Sequence, residues 1–329
     1  MKTTFTKTGI LFLAAIVFAS CSKNDDNDRD TAYLPNDAAF NALKVDALDN
    51  VTQHFTLNAN AGSTTFTTAK GVQFTINGTC LTLNGNPVTG QVQIEYAEVF
   101  DAGSMLVTDK TTMGKMPNGD MALLVSGGEF YINATQNNQQ LSITCPMQLV
   151  IPVSLTGGID PAMTLWDGTI DEDGNIDWEQ QRENPNGAGG VFGEGQGTNG
   201  AYYAFLGNFG WTNVDRFYSD PRPKTTILAT APTGYDYENS AVYLKYDGLG
   251  SALAKLDTYN TATNQFSEHY GQIPIGLECH IIFVTEENGQ WRYGIKAVTI
   301  AANQVYSFTL AETTLGTEAQ VIAAINALP

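Results

Sequence analysis

The sequence predicts a mainly β protein: two β-sandwich-like domains behind an N-terminal leader and an acidic tether, with a single C-terminal helix. Three observations carry that prediction. From Val51 to Leu155, and again from Gly200 to Glu312, short segments alternate apolar and polar residues, which sends every second side chain to one face of a strand. Glycine, asparagine and proline punctuate those segments at close intervals, as the turns of a sandwich do. Helical spacing with a clear start signal is reserved for the last segment, "TEAQVIAAINALP", where Thr317 is a good N-cap and Val321, Ile322, Ile325 and Leu328 share a face.

The first element is the leader. Lys2 and Lys7 precede the uncharged stretch "TGILFLAAIVFAS" (Thr8–Ser20), the pattern of an export signal. A membrane-spanning helix needs about 20 apolar residues, and acidic residues begin at Asp25. Ala19-Ser20-Cys21 resembles the lipobox of bacterial lipoproteins, with Phe18 where leucine is usual. The resemblance implies that residues 1–20 are a lipoprotein signal peptide, cut before Cys21, and that Cys21 carries a diacylglycerol on its thiol and an acyl chain on its new amine. The alternative is a secreted protein whose cleavage site happens to hold a cysteine. Several acyl chains together hold a protein stably at a membrane.

Residues 21–45 read as a disordered acidic tether, because the stretch "SKNDDNDRDTAYLPND" has charge and no apolar period. Its start, Ser22-Lys23-Asn24-Asp25-Asp26, resembles the surface-export signal of Bacteroidetes-type lipoproteins, and Asp30-Thr31-Ala32 resembles their O-glycosylation site, with Thr31 as acceptor. Together these motifs imply an outer-membrane protein, lipid-anchored and facing the cell exterior. The chain carries a net charge of -18. That argues against nucleic acid and anionic lipid headgroups as partners, since both require lysine and arginine. It suits a soluble ectodomain, and cation binding.

Residues 46–158 read as the first sandwich. "GVQFTI" (Gly71–Ile76) and the first half of "GQVQIEYAEVF" (Gly90–Phe100) alternate, and "NGNP" (Asn84–Pro87) marks a turn. "GEFYINATQNNQQLSIT" (Gly128–Thr144) reads as a hairpin turning at Gln136-Asn137-Asn138, since asparagine tolerates positive φ. "MQLVIPVSL" (Met147–Leu155) closes the unit. These phrases, with "NGNPVTGQVQIEYAEVFDAGSMLVTDKTT" and "LVSGGEFYINATQNNQQL", resemble one domain of Bacteroidetes surface lipoproteins that is similar to the ZU5 sandwich, a non-catalytic interaction module. "FGWTNVDRFYSDPRPKT" (Phe209–Thr225) resembles a phrase that follows that domain in the same lipoproteins. The resemblance implies location and fold, and no established biochemical activity. Residues 159–329 read as a second β-rich domain ending in the helix, after a Gly-, Asn- and acid-rich loop.

Beyond Cys21, three cysteines remain, so at most one bridge can form. Cys80 and Cys145 fall in one domain and are the pair if the compartment is oxidising; otherwise these cysteines and Cys279 are small buried hydrophobes. In "DEDGNID" (Asp171–Asp177), Asp171, Asp173, Asn175 and Asp177 alternate about Gly174 as calcium ligands would. Thr169 and Gln180 then occupy the first and last ligand positions, where a calcium loop needs acids, so the segment reads as a hairpin turn flanked by Trp166 and Trp178, with calcium as the alternative. "GQGTNG" (Gly195–Gly200) has the letters of a dinucleotide loop without a following helix, and is rejected. His54, His269 and His280 show no metal spacing, and no Gly-x-Ser-x-Gly turn exists.

"NFGWTNVDRFYSDPRP" (Asn208–Pro223) is the densest chemical phrase. Trp211 and Tyr218, with Tyr202 upstream, could stack on sugar rings while Asp215 and Arg216 bond hydroxyls; the competing reading is a core strand and turn. The sequence therefore predicts a non-catalytic binding or assembly module without a cofactor, attached to the membrane by its lipid and meeting glycans or envelope proteins. A glycan-binding accessory of polysaccharide uptake and an envelope hydrolase are the alternatives.

Overall fold

The computed structural model describes residues 33–172, 174–182, 187–268 and 270–329. Cys21, Thr31, Asp173 and His269 lie outside the described residues. The first half builds a sandwich. One sheet runs Gln53–Asn58, Gln91–Val99, Met121–Gln136, Gly210–Phe217, Thr164–Ile170, Ile176–Gln180 and Met113–Lys115. The facing sheet runs Val191–Glu194, Ala201–Leu206, Met147–Pro152, Gln73–Asn77 and Ser63–Thr67. Alternation does what it implies: along Gln91–Val99, Val92 and Ile94 point into the core while Gln91 and Gln93 are exposed. Phe74, Tyr96, Phe130, Leu149, Tyr202 and Val214 meet between the sheets, with the Phe74 and Tyr96 rings stacked at 4.8 Å.

The expected hairpin turns at Asn137 and Asn138, both at positive φ. Cys80 and Cys145 are bridged, with Cα atoms 5.8 Å apart. Met113–Lys115 pairs with both Met121–Gln136 and Ile176–Gln180, so the last five strands of the larger sheet close into a ring. Trp166, Trp178, Ile176 and Leu124 pack at that end.

The expected boundary between residues 158 and 159 runs through this sandwich. Strands drawn from residues 164–217 complete both of its sheets. Without them, Met121–Gln136 and Met147–Pro152 would each present an unpaired edge across the core, so the later strands supply hydrogen bonds that residues 46–158 alone leave open. Residues 34–329 form one compact unit.

The second half is layered. A five-stranded sheet contains Ser240–Tyr246, Glu278–Glu287 and Gln290–Thr299 at its centre. One face packs Val242, Ile281 and Phe283 against a four-stranded sheet that supplies Ala229 and Phe266. The other face packs Tyr243, Ile282, Val284 and Trp291 under three helices: α1 (Asp37–Val51), α2 (Ala102–Thr108) and α3 (Glu318–Asn326). Burial on both faces explains why "SAVYLKY" (Ser240–Tyr246) lacks a polar face.

α3 starts as expected, with Thr317 and Gln320 forming a capping box. α1 corrects the tether expected over 21–45. Its N-cap Asn36 accepts from the Ala39 amide at 2.8 Å, and Phe40, Leu43 and Ala47 return to the same face at helical spacing. The burial of that stripe against the sheet outweighs its acidic neighbours. α2 is the other helix the sequence reading missed: Asp101 caps it through the Ser104 amide at 2.8 Å, and every residue of its two turns is buried. Among the described residues no helix is long and apolar enough to cross a membrane.

Candidate functional site

The structure separates the five aromatic and polar residues expected to form a glycan site. Strand Gly210–Phe217 lies inside the larger sheet, so its side chains face cores on both sides. Trp211 is buried against Tyr131, with ring centroids 5.3 Å apart. Asp215 is fully buried, and Tyr202 sits in the sandwich core with its hydroxyl accepting the Asp160 amide hydrogen at 2.5 Å. Arg216 pairs with the Asp160 carboxylate, so Tyr202 and Arg216 do meet, through a residue the sequence did not single out. Tyr218 stands apart, edge-on to Tyr246 at 5.2 Å. Asp171 closes the expected hairpin turn: its carboxylate accepts from the Asn175 amide at 2.8 Å and from the Asn175 side chain at 3.1 Å. Burial, then the nearby Asp171 charge, raises the Asp177 carboxyl. Among the described residues no group of three or more His, Cys, Asp or Glu side chains could hold a metal.

Among the clefts of the described residues, two hold paired tyrosines or strongly shifted carboxyl groups. The larger of these two, about 600 Å³, opens between α1, the turn at Asn175 and residues 237–266. Tyr237 and Tyr259 form a tilted pair on it, ring centroids 5.4 Å apart, and Tyr237 is 54 % exposed. Asn41, Asn175, Lys44 and Lys255 supply polar groups around the rings. The floor is a charge network. Asp109, the left-handed residue that ends α2, accepts from Lys44 at 2.9 Å, from Lys255 at 3.0 Å and from the Tyr243 hydroxyl at 2.6 Å. Lys255 also donates to Asn175 Oδ1 at 2.8 Å. Burial opposes the Asp109 charge, but the two lysines and the tyrosine together hold its carboxyl well below the usual carboxylate range. Burial lowers Lys44 in turn, against the pull of Asp109. The network ties α1, α2, the Asn175 turn and Lys255 together beneath the cleft.

The smaller cleft, about 270 Å³, is lined by Met113, Met116, Phe217, Tyr218, Asp220 and Glu268 among others. Glu268 is 2 % exposed, and burial pushes its carboxyl up to about 7, although the Tyr270 and Gly271 amides donate to it at 2.8 and 3.1 Å. Arg222 engages Asp220 through its Nε and Nη2 atoms and holds that carboxyl well below the usual range, with the Tyr218 hydroxyl donating at 3.1 Å. The two carboxyl groups are thus shifted in opposite directions, yet each is bonded within its own turn.

No protein-family model matches the chain, and no curated protein matches it. Function therefore rests on the sites themselves. Sequence reading passed over Tyr237 and Tyr259 because neither belongs to a spaced motif. Asp109 carried one signal, an acid followed by lysine inside a threonine-rich run, without any sign that Lys44 and Lys255 converge on it.

Proposed function

We propose that the protein is a lipid-anchored outer-membrane module, facing the cell exterior through acylated Cys21, that binds without catalysis and takes carbohydrate in the Tyr237–Tyr259 cleft. The single observation that carries the ligand class is that aromatic pair, standing over a 600 Å³ cleft edged by amide, ammonium and carboxylate groups. Sugars present an apolar face and a ring of hydroxyls, and a few oriented polar groups beside exposed rings suit both. The lipobox and the charged segment after it support the anchor and its address. The alternative in another class is an envelope hydrolase working in the smaller cleft, where Glu268 titrates near neutrality beside the ionised Asp220. The internal hydrogen bonds of both carboxyl groups weigh against it.

Thermal unfolding of the full chain against a panel of glycans tests the reading. A ligand that binds only the folded state stabilises it by about 2.7 kcal/mol at a hundredfold excess over its dissociation constant. One glycan class is expected to raise Tm, and Tyr237→Ala with Tyr259→Ala to abolish the shift. A panel without any shift, or a shift that survives both substitutions, would reject this cleft as the seat.

A further inference from the structure

Lys110, Glu129 and Asn213 are all buried, and neither cleft described above is lined by them. Glu129 and Asn213 are direct cross-strand partners on Met121–Gln136 and Gly210–Phe217, so their side chains project from the same face with Cβ atoms about 5 Å apart. Tyr131 and Trp211 are the next pair on that face. Lys110 arrives from the buried segment after α2. Its Nζ lies 5.6 Å from the centre of the Trp211 ring and donates to the Thr108 carbonyl at 3.2 Å. Both oxygens of the fully buried Glu129 carboxyl lack a hydrogen-bond partner. Asn213 is held firmly: its Oδ1 accepts from the Ser126 hydroxyl at 2.8 Å and its Nδ2 donates to Asp215 at 2.6 Å.

An amine and a carboxyl group buried together without pairing is a costly arrangement, and one that ordinary packing does not need. We propose that Lys110 and Asn213 become joined by an intramolecular isopeptide bond, with Glu129 as the acid that moves the protons. Burial favours the neutral form of both groups, lowering Lys110 and raising Glu129. A neutral, desolvated amine is a nucleophile, and a neutral carboxylic acid can protonate a leaving nitrogen. The Lys110 Nζ lone pair attacks Asn213 Cγ, and the Ser126 hydroxyl stabilises the negative charge that develops on Oδ1. Glu129 gives a proton to Nδ2 and takes one from the new ammonium. The Cγ–Nδ2 bond breaks and ammonia leaves. Amine and amide become amide and ammonia, with no oxidant or co-reactant, in an interior where water does not compete. Asn213 is two residues from Trp211 on the same strand face, about 7 Å along the strand, and the reaction requires the flexible lysine stem to swing its Nζ from the Trp211 ring toward Asn213.

The test is a tryptic digest of the urea-denatured full chain, read by mass spectrometry. The expected product is a branched peptide that joins Lys110 to Asn213, uncut after Lys110 and lighter than its two linear parts by one ammonia, about 17 Da. Ordinary cleavage after Lys110, with both linear peptides at full mass, overturns the proposal. Loss of water in place of ammonia overturns the choice of Asn213 and moves the bond to a carboxyl group. Glu129→Gln, neutral and of the same shape, is expected to keep the buried-tryptophan fluorescence and to lose the branched peptide; a branch that persists in that variant removes Glu129 from the reaction.

Discussion

Glu268→Gln should make the folded protein less sensitive to pH. Glu268 is almost fully buried, and its carboxyl titrates at about 7 against an ordinary value of 4.5. Burial is the main cause, and the nearby Asp257 charge pushes the same way. Between those two values the folded state keeps a proton that the unfolded chain has lost. Stability contributed by this group is therefore complete below about pH 4.5 and lost as pH rises through about 7. At about 1.4 kcal/mol per pH unit over that span, the loss comes to about 3 kcal/mol. Glutamine carries no charge at any pH and keeps an oxygen for one of the two amides that Glu268 accepts from. The variant is expected to lie within about 1 kcal/mol of the wild type near pH 5 and to exceed it by up to about 3 kcal/mol at pH 8. Glu129 and Asp215 are also raised by burial, so the wild type alone would show a slope of mixed origin; the difference between the two proteins isolates Glu268. Urea unfolding at both pH values, followed by tryptophan fluorescence, reads it, since all four tryptophans are buried. Parallel loss of stability in both proteins between pH 5 and pH 8 would refute the assignment.

Two more outcomes follow from the bridge and the leader. Replacing Cys80 and Cys145 by alanine frees a loop with a sequence separation of 65, and loop-closure entropy puts the cost at about 4 kcal/mol; urea midpoints measure it, and a loss under about 1 kcal/mol would mean the unfolded chain is not constrained by the bridge. Cys21→Ala should move the protein from the membrane fraction to the soluble one, because each buried methylene of an acyl chain contributes about 0.8 kcal/mol of membrane affinity; retention in the membrane would rule out the lipid as anchor.

Local chemistry was legible in the sequence and long-range pairing was not. The asparagine turn at Asn137 and Asn138, the turn around Asp171 to Asn175 and the Thr317 cap each follow from a few adjacent residues, and each stands where the pattern put it. The partner of Met121–Gln136 lies far along the chain, on Gly210–Phe217, and no periodicity announces it. That pairing moved the domain boundary. It also decided the fate of the phrase around Trp211: a strand with neighbours on both sides, in a sheet covered on both faces, buries its side chains, so Trp211 and Asp215 became interior groups. α1 was legible in principle, since Phe40, Leu43 and Ala47 keep helical spacing after Asn36, but the acids among them dominated the reading. The Tyr237–Tyr259 cleft has no local signature because three distant segments build it.

Those three segments are held by the piece of chain that joins the two halves. Residues 102–112 follow a strand of the first sandwich and are buried throughout: Ala102, Met105, Leu106 and Val107 lie in the second core, while the Thr111 carbonyl accepts from Trp178 of the first sandwich at 2.8 Å. The Ala102 amide donates to Gly250 and the Thr112 amide to Leu253, each at 3.0 Å, while the Gly103 amide donates to the Asn326 side chain of α3 at 2.8 Å. A Cβ on Gly103 would come within 2.6 Å of the Ile322 carbonyl oxygen, so the helix and this segment touch backbone to backbone. Opening either half exposes the same buried residues, and the two must unfold in one transition. Asp109 belongs to this segment, and it is the residue on which Lys44 of α1 and Lys255 converge. The floor of the cleft is thus part of the joint between the halves. A ligand there meets groups already fixed by folding and loses little binding energy to ordering them.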